Sequence, residues 1–460
     1  MVMRPFTLEE IARITGGAVD SDPSAVVLGL ALDSGAVSPG NLFAALRGER
    51  TDGHRYATEA IRNGAAAVLV QDPVTVPEGA GVVTVDSVEA AIRRLGMEAR
   101  EAFSGEVIGI VGSCGKTTTK AFAASLLGSM RRVYASPGNR NNLLGLPETL
   151  MNADVQAEVW ILEMGISLPG EMARLAPISR PTGVIFTGVA PVHTEFFPDL
   201  KAIRDEKANV FQHASADAFA VLNGDDPLLA GLATPDAKRT LRFGMGHGSD
   251  VRVEVDGGGT PEGLPLAVHW RGERVRAVIP LPGVHNAMNF AAACAAGCAL
   301  GLPLKGLAEA APSLSPESNR SRLVRLSGDL LLFDDSYNSN PAAAELALRT
   351  VCGWDRPVLA VLGEMLELGT SAEAHHRRVG EAAAELGVKA LLCVGGSAVR
   401  AMEEGFARSG RPCEVVESWE DGDGWVSAHL EAGDILLVKG SRGLGLDGLV
   451  TRMTEQRGAA

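Results

Sequence analysis

The sequence is short of three things. Cysteine is one: there are six in 460 residues (Cys114, Cys294, Cys298, Cys352, Cys393 and Cys413), with no CxxC and no Cys/His cluster at zinc spacing. That excludes a disulfide framework and a zinc site of the usual spacing. A chain of this length buries enough apolar surface to stand without cross-links. Cys294 and Cys298 stand four apart on an Ala-rich helical pattern and read as small core residues, not a redox pair. Positive charge is also scarce, with 42 Lys+Arg against 56 Asp+Glu, a net charge of -14. No broad basic field is available, so neither a nucleic-acid partner nor an anionic membrane surface is expected. Long apolar runs are missing too. The softest stretch, Phe290 to Leu304, is Ala/Gly/Cys-rich and too short to span a bilayer. Met1 to Thr7 has no apolar leader core or cleavage site. The expectation is a cytoplasmic monomer with no membrane insertion.

What is present is an ordinary globular balance, 46% hydrophobic and 21% charged, with 54 glycines that suit many strand-to-helix turns. The length points to about three domains. Residues 1–103 alternate short apolar runs, Ala65 to Val70 and Gly81 to Val85, with a helical stretch from Ser87 to Phe103. Residues 104–313 open with the buried-strand pattern Glu106 to Val111. Further strands are expected at Val159 to Leu162 and Gly183 to Phe186, with an added hairpin region across Gly244 to Arg276. Residues 314–460 repeat the rhythm, with strands at Val358 to Leu362, Ala390 to Val394 and Ile435 to Val438. Strands alternating with helices predict an α/β protein whose central domain is a doubly wound, mostly parallel sheet of P-loop type.

The strongest local signal is Gly112-Ser113-Cys114-Gly115-Lys116-Thr117-Thr118-Thr119-Lys120, between a strand and a helix. Backbone N–H groups of such a turn wrap phosphate oxygens, and the helix amino terminus adds positive potential. Lys116 reaches terminal phosphates, and the Thr117 hydroxyl suits Mg²⁺. The register departs from the standard pattern, since position 110 is Ile and the upstream glycine is Gly109. The alternative is a helix start with a solvated lysine. Three more residues fall where parallel sheets place ligands: Glu163 at a strand end, His193 in a loop after a strand, and Lys207 on the following helix. A carboxylate and an imidazole suit a divalent metal near a nucleotide. The plainer readings are a cap or ion pair for Glu163 and a surface residue for His193.

The chain resembles the Mur ligases, ATP-dependent amide-forming enzymes of peptidoglycan precursor synthesis. The motifs run through nearly the whole length. They include Leu32-Asp33-Ser34, the stretch Pro39 to His54, and the phosphate loop. Ser136-Pro137-Gly138-Asn139, Glu163-Met164-Gly165 and Gly283-Val284-His285-Asn286 follow, the last with Asn289. Asp334-Asp335-Ser336-Tyr337-Asn338 is the most diagnostic run. Leu362 to Gly369 and Val438 to Gly443 are similar to the branch that adds D-alanyl-D-alanine to UDP-N-acetylmuramoyl-tripeptide.

The resemblance implies a UDP-substrate domain, an ATP domain and a Rossmann-like amine-donor domain, in that order. It implies ATP contacts from Gly112, Ser113, Gly115, Lys116, Thr117 and Thr118, and a catalytic role for Lys116, Lys207 and His193. Mg²⁺ would be served by Thr117, Glu163, His193 and a carbamylated Lys207, whose alternative is an unmodified surface lysine. Asn286 and Asn289 would contact adenine, Asp335 the ribose, and Arg320 or Arg322 the phosphates. Ser34, Asn338 and His376 would meet substrate. Helix capping is the alternative for Asn286 and Asn289, and a helix-surface position for His376. Departures from the family pattern are Gly35, Arg140, Leu143, Gly188, Asn209 and Asn319. They keep two other readings open: a paralogous ligase for a different carboxylate and amine, and a nucleotide-binding regulator with decayed catalysis.

Overall fold

The computed structural model describes residues 3–48, 51–257 and 259–458. Glu49 and Arg50 of the Pro39 to His54 run, Met1 and Val2, and Gly258 of the expected hairpin region lie outside the described residues. The strands form three main sheets, one after another along the chain, and a small ribbon pairing Phe6–Thr7 with Val26–Val27.

The first sheet is five-stranded, ordered Ala18–Val19, Gly81–Thr84, Ala67–Val70, Leu42–Ala44, Leu30–Ala31, and parallel except at its first edge. The expected helix runs Val88–Glu101. Ser87 caps it by accepting from the Ala90 N–H, and its buried stripe includes Ile92, Leu95 and Ala99.

The central sheet has nine strands. Seven are parallel, from Val251–Val255 through Thr240–Gly244, Phe219–Asn223, Gly183–Phe186, Glu106–Val111 and Val159–Glu163 to Val133–Ala135. Strand Glu106–Val111 is apolar on both faces because helices cover both sides. The expected hairpin is there, Leu264–Trp270 with Glu273–Ile279. Val251–Val255 pairs antiparallel with it and joins it to the sheet. The soft apolar stretch beginning at Phe290 lies largely in the buried helix Val284–Ala299, with Cys294 in its core and Cys298 partly buried. Among the described residues no helix is long and apolar enough to cross a membrane.

The third sheet has six strands, ordered Arg322–Leu326, Leu330–Asp334, Ile435–Lys439, Val358–Gly363, Ala390–Val394, Cys413–Val416, with only the first antiparallel.

The cores divide unequally. One apolar cluster runs without a break from Phe6, Ile11 and Leu42 through Leu95 to Leu146, Leu150, Met172 and Ile178, so the first two sheets share it. The third sheet packs its helices in separate clusters around Phe333, Leu362 and Phe406 on one face and Leu392, Leu436 and Leu449 on the other.

Candidate active site

The chain leaves Glu106–Val111 and reaches the sheet edge before returning to both neighbours of that strand, so the turn at 112–115 sits where the strand order reverses. Two glycines are required there. Gly112 has φ 145° and a Cβ on it would lie 2.0 Å from Thr187 Oγ1. Gly115 has φ 79° and a Cβ would lie 2.6 Å from Asn289 Oδ1. The turn is pinned from the next strand. Ser113 N–H donates to the Gly188 carbonyl at 2.9 Å, and Thr187 Oγ1 donates to the Cys114 carbonyl at 2.5 Å. Gly188, one of the departures, has φ 147°, a backbone conformation that favours glycine. Helix Lys116–Gly128 then points its amino end into a cavity of about 780 Å³.

Lys116 Nζ donates to the Gly112 carbonyl at 3.0 Å, and burial holds its ammonium below the ordinary lysine value. Thr117, on the first turn, is buried and lines the cavity with Ser113, Gly115 and Thr118. Glu163 is 2% exposed; its Oε1 accepts from Asn141 Nδ2 at 2.7 Å. Among the described residues its Oε2 accepts no hydrogen bond: Lys120 Nζ pairs with it at 3.7 Å but donates its hydrogen bond to the Gly138 carbonyl. A buried carboxylate oxygen left without a donor beside a threonine hydroxyl and a phosphate turn is a fitting place for a hard cation. Among the described residues no three His, Cys, Asp or Glu side chains converge as a metal cage. Any metal here therefore needs other oxygens as well.

Lys207 is not a surface residue. It lies on helix Leu200–Ala208, is 2% exposed, and has neither a hydrogen bond nor an ion pair from its side chain among the described residues. Burial, then the nearby Lys116, push its pKa down to about 7. His193 lines the cavity in a left-handed conformation, φ 56°, and its Nδ1 meets Glu367 Oε2 of the third sheet at 2.5 Å. Burial, with Lys207 and Lys116 adding to it, lowers the imidazole pKa against the opposing pull of Glu367.

The opposite wall belongs to the third sheet. Asp335 Oδ2 accepts from Lys439 Nζ at 2.6 Å and its Oδ1 from the Ser321 N–H at 3.0 Å. Asn338 and Arg320 line the cavity, Arg320 lying 3.9 Å from the Tyr337 ring centroid, whereas Arg322 is exposed on an edge strand. Asn319, one of the departures, has φ 61°, a left-handed conformation that asparagine tolerates better than most residues.

Several expected residues stand elsewhere. Asn289 lines the cavity, but Asn286 does not: it is 1% exposed and its Nδ2 donates to the Pro282 carbonyl at 2.7 Å, so it braces the helix start. His376 is neither on the surface nor at the cavity. It is 0% exposed; its Nδ1 donates to the Ala372 carbonyl at 2.7 Å and its Nε2 accepts from the Met365 N–H at 2.9 Å. It supports the loop after strand Val358–Gly363 from below. Ser34 is in the first sheet's domain, away from the cavity, and donates to Glu59. Arg140 pairs with the buried Glu148 at 3.0 Å, and Leu143 packs on the shared core. Gly35 donates its N–H to Asp33, and Asn209 accepts from Gln212. Sequence reasoning gave no role to Lys120, Asn141, Tyr337, Glu367, Lys439 and Arg442, of which all but Lys120 line the cavity. Lys439 and Arg442 stand in a run already singled out, the first ending a strand and the second just past it.

The geometry agrees with comparisons to known proteins. Three family descriptions match in order: Mur ligase family, catalytic domain, over residues 27–107; Mur ligase middle domain, over 110–297; and Mur ligase, glutamate ligase domain, over 319–442. The UDP-N-acetylmuramoyl-tripeptide–D-alanyl-D-alanine ligase of Mycobacterium tuberculosis (strain ATCC 25618 / H37Rv) is 33% identical, covering 96% of each chain. The ligase of the same name from Bacillus subtilis (strain 168) is 30% identical, covering 98% of each. Among solved structures, MurF from Acinetobacter baumannii matches with TM-score 0.88 at 24% identity, over 99% of this chain and 100% of that one, a likeness of fold. MurF ligase from Thermotoga maritima in complex with ADP matches with TM-score 0.79 at 26% identity, over 93% and 97%. By matched domains covering most of its length and by relatives at 30% identity or more from end to end, the chain belongs to the Mur ligase family.

Proposed function

We infer that this chain is the ATP-dependent, ADP-forming ligase that joins UDP-N-acetylmuramoyl-tripeptide to D-alanyl-D-alanine, a step of peptidoglycan precursor synthesis. The observation that carries the reading is end-to-end identity of 30% or more to relatives bearing that name. A phosphate turn facing a polar wall from another domain supports it.

A carboxylate does not acylate an amine at neutral pH without activation. The acceptor's terminal carboxylate attacks the γ-phosphate of ATP in line, giving an acyl phosphate and ADP. The amine of the second substrate then attacks the acyl carbon, and phosphate leaves from the tetrahedral intermediate. Lys116 offers a positive group to the charge that develops on the transferring phosphoryl oxygens. The backbone of Gly112, Ser113 and Gly115 and the first-turn Thr118 hold the phosphates. Asn289 reads adenine, and Asp335 orients the ribose with its carboxylate fixed by Lys439 and Ser321. Asn286 contributes by bracing the helix that presents Asn289. Arg320 faces the phosphates, and Asn338 meets the amine donor. Ser34 belongs to the acceptor's UDP end, and His376 acts only by holding the 364–368 loop.

Mg²⁺ would be held by Thr117, Glu163, His193 and Lys207, and when bound it supplies charge neutralisation at the triphosphate. Lys207 suits carbamylation. With a pKa near 7 a good part of it is free amine, whose nitrogen can bond to the carbon of CO₂ and release a proton to solvent, leaving an anionic carbamate in place of an ammonium. Domains 1–103, 104–313 and 314–460 then serve the UDP end, ATP and the amine donor. The enzyme works as a cytoplasmic monomer, its cysteines free among the described residues.

Gly35, Arg140 and Leu143 favour a second reading, the same chemistry on another carboxylate or amine. Phosphate release from ATP separates the possibilities. Release only when both UDP-N-acetylmuramoyl-tripeptide and D-alanyl-D-alanine are present supports the first reading. Release only with other pairs supports the second, and ATP binding without release under any pair leaves a decayed regulator.

A further inference from the structure

The third sheet's side of the cavity carries two guanidinium groups on one aromatic ring. The Cζ of Arg320 lies 3.9 Å, and that of Arg442 5.3 Å, from the Tyr337 centroid. Arg442 Nη1 also donates to Tyr337 Oη at 3.3 Å. The neighbouring cation is matched, since Lys439 sits on Asp335 at 2.6 Å. Among the described residues neither Arg320 nor Arg442 has a carboxylate within ion-pair distance. Two uncompensated guanidinium groups lining one cavity call for anionic ligands.

The two are not equivalent. Arg320 stands on the segment entering the third sheet, and its charge is felt at Lys116 and Lys120, so it faces the phosphate turn. Arg442 opens the short 3-10 turn Arg442–Leu444 just past strand Ile435–Lys439, on the C-terminal domain alone. That turn is fixed, because Ser441 Oγ accepts from the Leu366 N–H at 3.0 Å and Ser441 N–H donates to the Glu364 carbonyl at 3.2 Å.

We propose that Arg442 is the specificity-determining residue that holds the carboxylate of the amine donor, with Tyr337 setting the direction of its guanidinium. The proposal rests on the ligase reading above. A dipeptide donor spends its amine in the new bond and keeps its carboxylate, so the carboxylate needs a partner throughout the reaction. Arg442 offers a fork of donors at one end of the cavity, and Arg320 is left for the phosphates.

The test is steady-state kinetics of the full-length wild type, Arg442→Ala and Arg442→Lys, varying each substrate in turn. D-alanyl-D-alanine and its carboxamide, D-alanyl-D-alaninamide, serve as donors. For Arg442→Ala the KM for D-alanyl-D-alanine is expected to rise about 10- to 100-fold. The KM values for ATP and UDP-N-acetylmuramoyl-tripeptide stay within about twofold, well under one charged hydrogen bond. Wild type strongly prefers the free carboxylate, Arg442→Ala accepts both donors alike, and Arg442→Lys falls between. An unchanged donor KM, a rise in the KM for ATP instead, or equal use of the amide by wild type would overturn the proposal while leaving the ligase reading standing. No turnover of D-alanyl-D-alanine by wild type, whatever the acceptor, overturns both.

Discussion

The central sheet meets its two neighbours in opposite ways. Towards the first sheet the contact is dry and continuous. The shared core passes through it, Gly96 lies so close to Pro147 that a Cβ would come within 2.8 Å, and Asn152 bonds both the N–H and the carbonyl of Leu30. Buried Arg100 spreads its guanidinium over the carbonyls of Phe103, Ser179 and Arg180. Towards the third sheet the contact is polar and holds the cavity. Among the described residues, what crosses it is a handful of single bonds: Asn340 Nδ2 to Cys114 Sγ at 3.0 Å, Thr194 Oγ1 to the Leu368 carbonyl at 3.2 Å, His193 with Glu367, His285 with Ser321 at 3.1 Å, and the exposed pair of Arg325 with Glu262 at 2.8 Å. A continuous apolar core resists shear, while scattered polar bonds exchange readily with water and ligand. The first junction therefore carries stability. The second lines the candidate site, and is where closure around ATP and substrate is expected.

That contrast breaks or sharpens under substitution. The largest effect belongs to Lys116→Ala, which should cut kcat at least about 10³-fold without lowering the unfolding midpoint, since the buried ammonium it removes opposes folding at neutral pH. Full activity in that variant would sink the phosphate-turn assignment. Lys207→Met comes next. Its ordinary pKa of 10.5 applies in the unfolded chain and about 7 in the folded one, so between those values the unfolded chain binds more protons and wild-type stability climbs with pH. In CO₂-free buffer the variant should melt above wild type at pH 7, with the gap closing as pH approaches 10.5, and it should lack activity. A gap independent of pH would mean that Lys207 is not buried as a free amine.

At the dry junction, Arg100→Ala orphans three carbonyls and should cost about 2–4 kcal/mol in chemical denaturation, with kcat per folded molecule unchanged. A loss of kcat without a loss of stability would reverse the contrast. The smallest effect is Glu367→Ala, which removes a half-exposed pair and should cost under about 1 kcal/mol. Small-angle scattering should still report compaction of wild type on adding ATP and acceptor. Identical dimensions with and without ligands would count against closure at the polar junction.

Much of this was legible beforehand where one physical signal dominates. Strands buried on both faces, such as Glu106–Val111 and Ile435–Lys439, announce themselves as unbroken apolar runs. Edge and short strands do not. Arg322–Leu326 alternates with exposed arginine, Val133–Ala135 has three residues, and Cys413–Val416 closes a sheet edge. The phosphate turn was readable because its chemistry is contiguous. The wall opposite it was legible only in part: the resemblance pointed to Arg320, Asp335 and Asn338, but Tyr337, Lys439 and Arg442 join them only through the third sheet. His376 teaches a related lesson: the resemblance placed it at substrate, but burial with both ring nitrogens engaged makes it a prop.

The most direct test of the account follows an oxygen atom. Acceptor tripeptide carrying oxygen-18 in its terminal carboxylate is turned over with ATP and D-alanyl-D-alanine, and the released phosphate is examined by mass spectrometry. Attack of that carboxylate on the γ-phosphate predicts one oxygen-18 in each phosphate released. Unlabelled phosphate alongside normal amide product would contradict activation through an acyl phosphate.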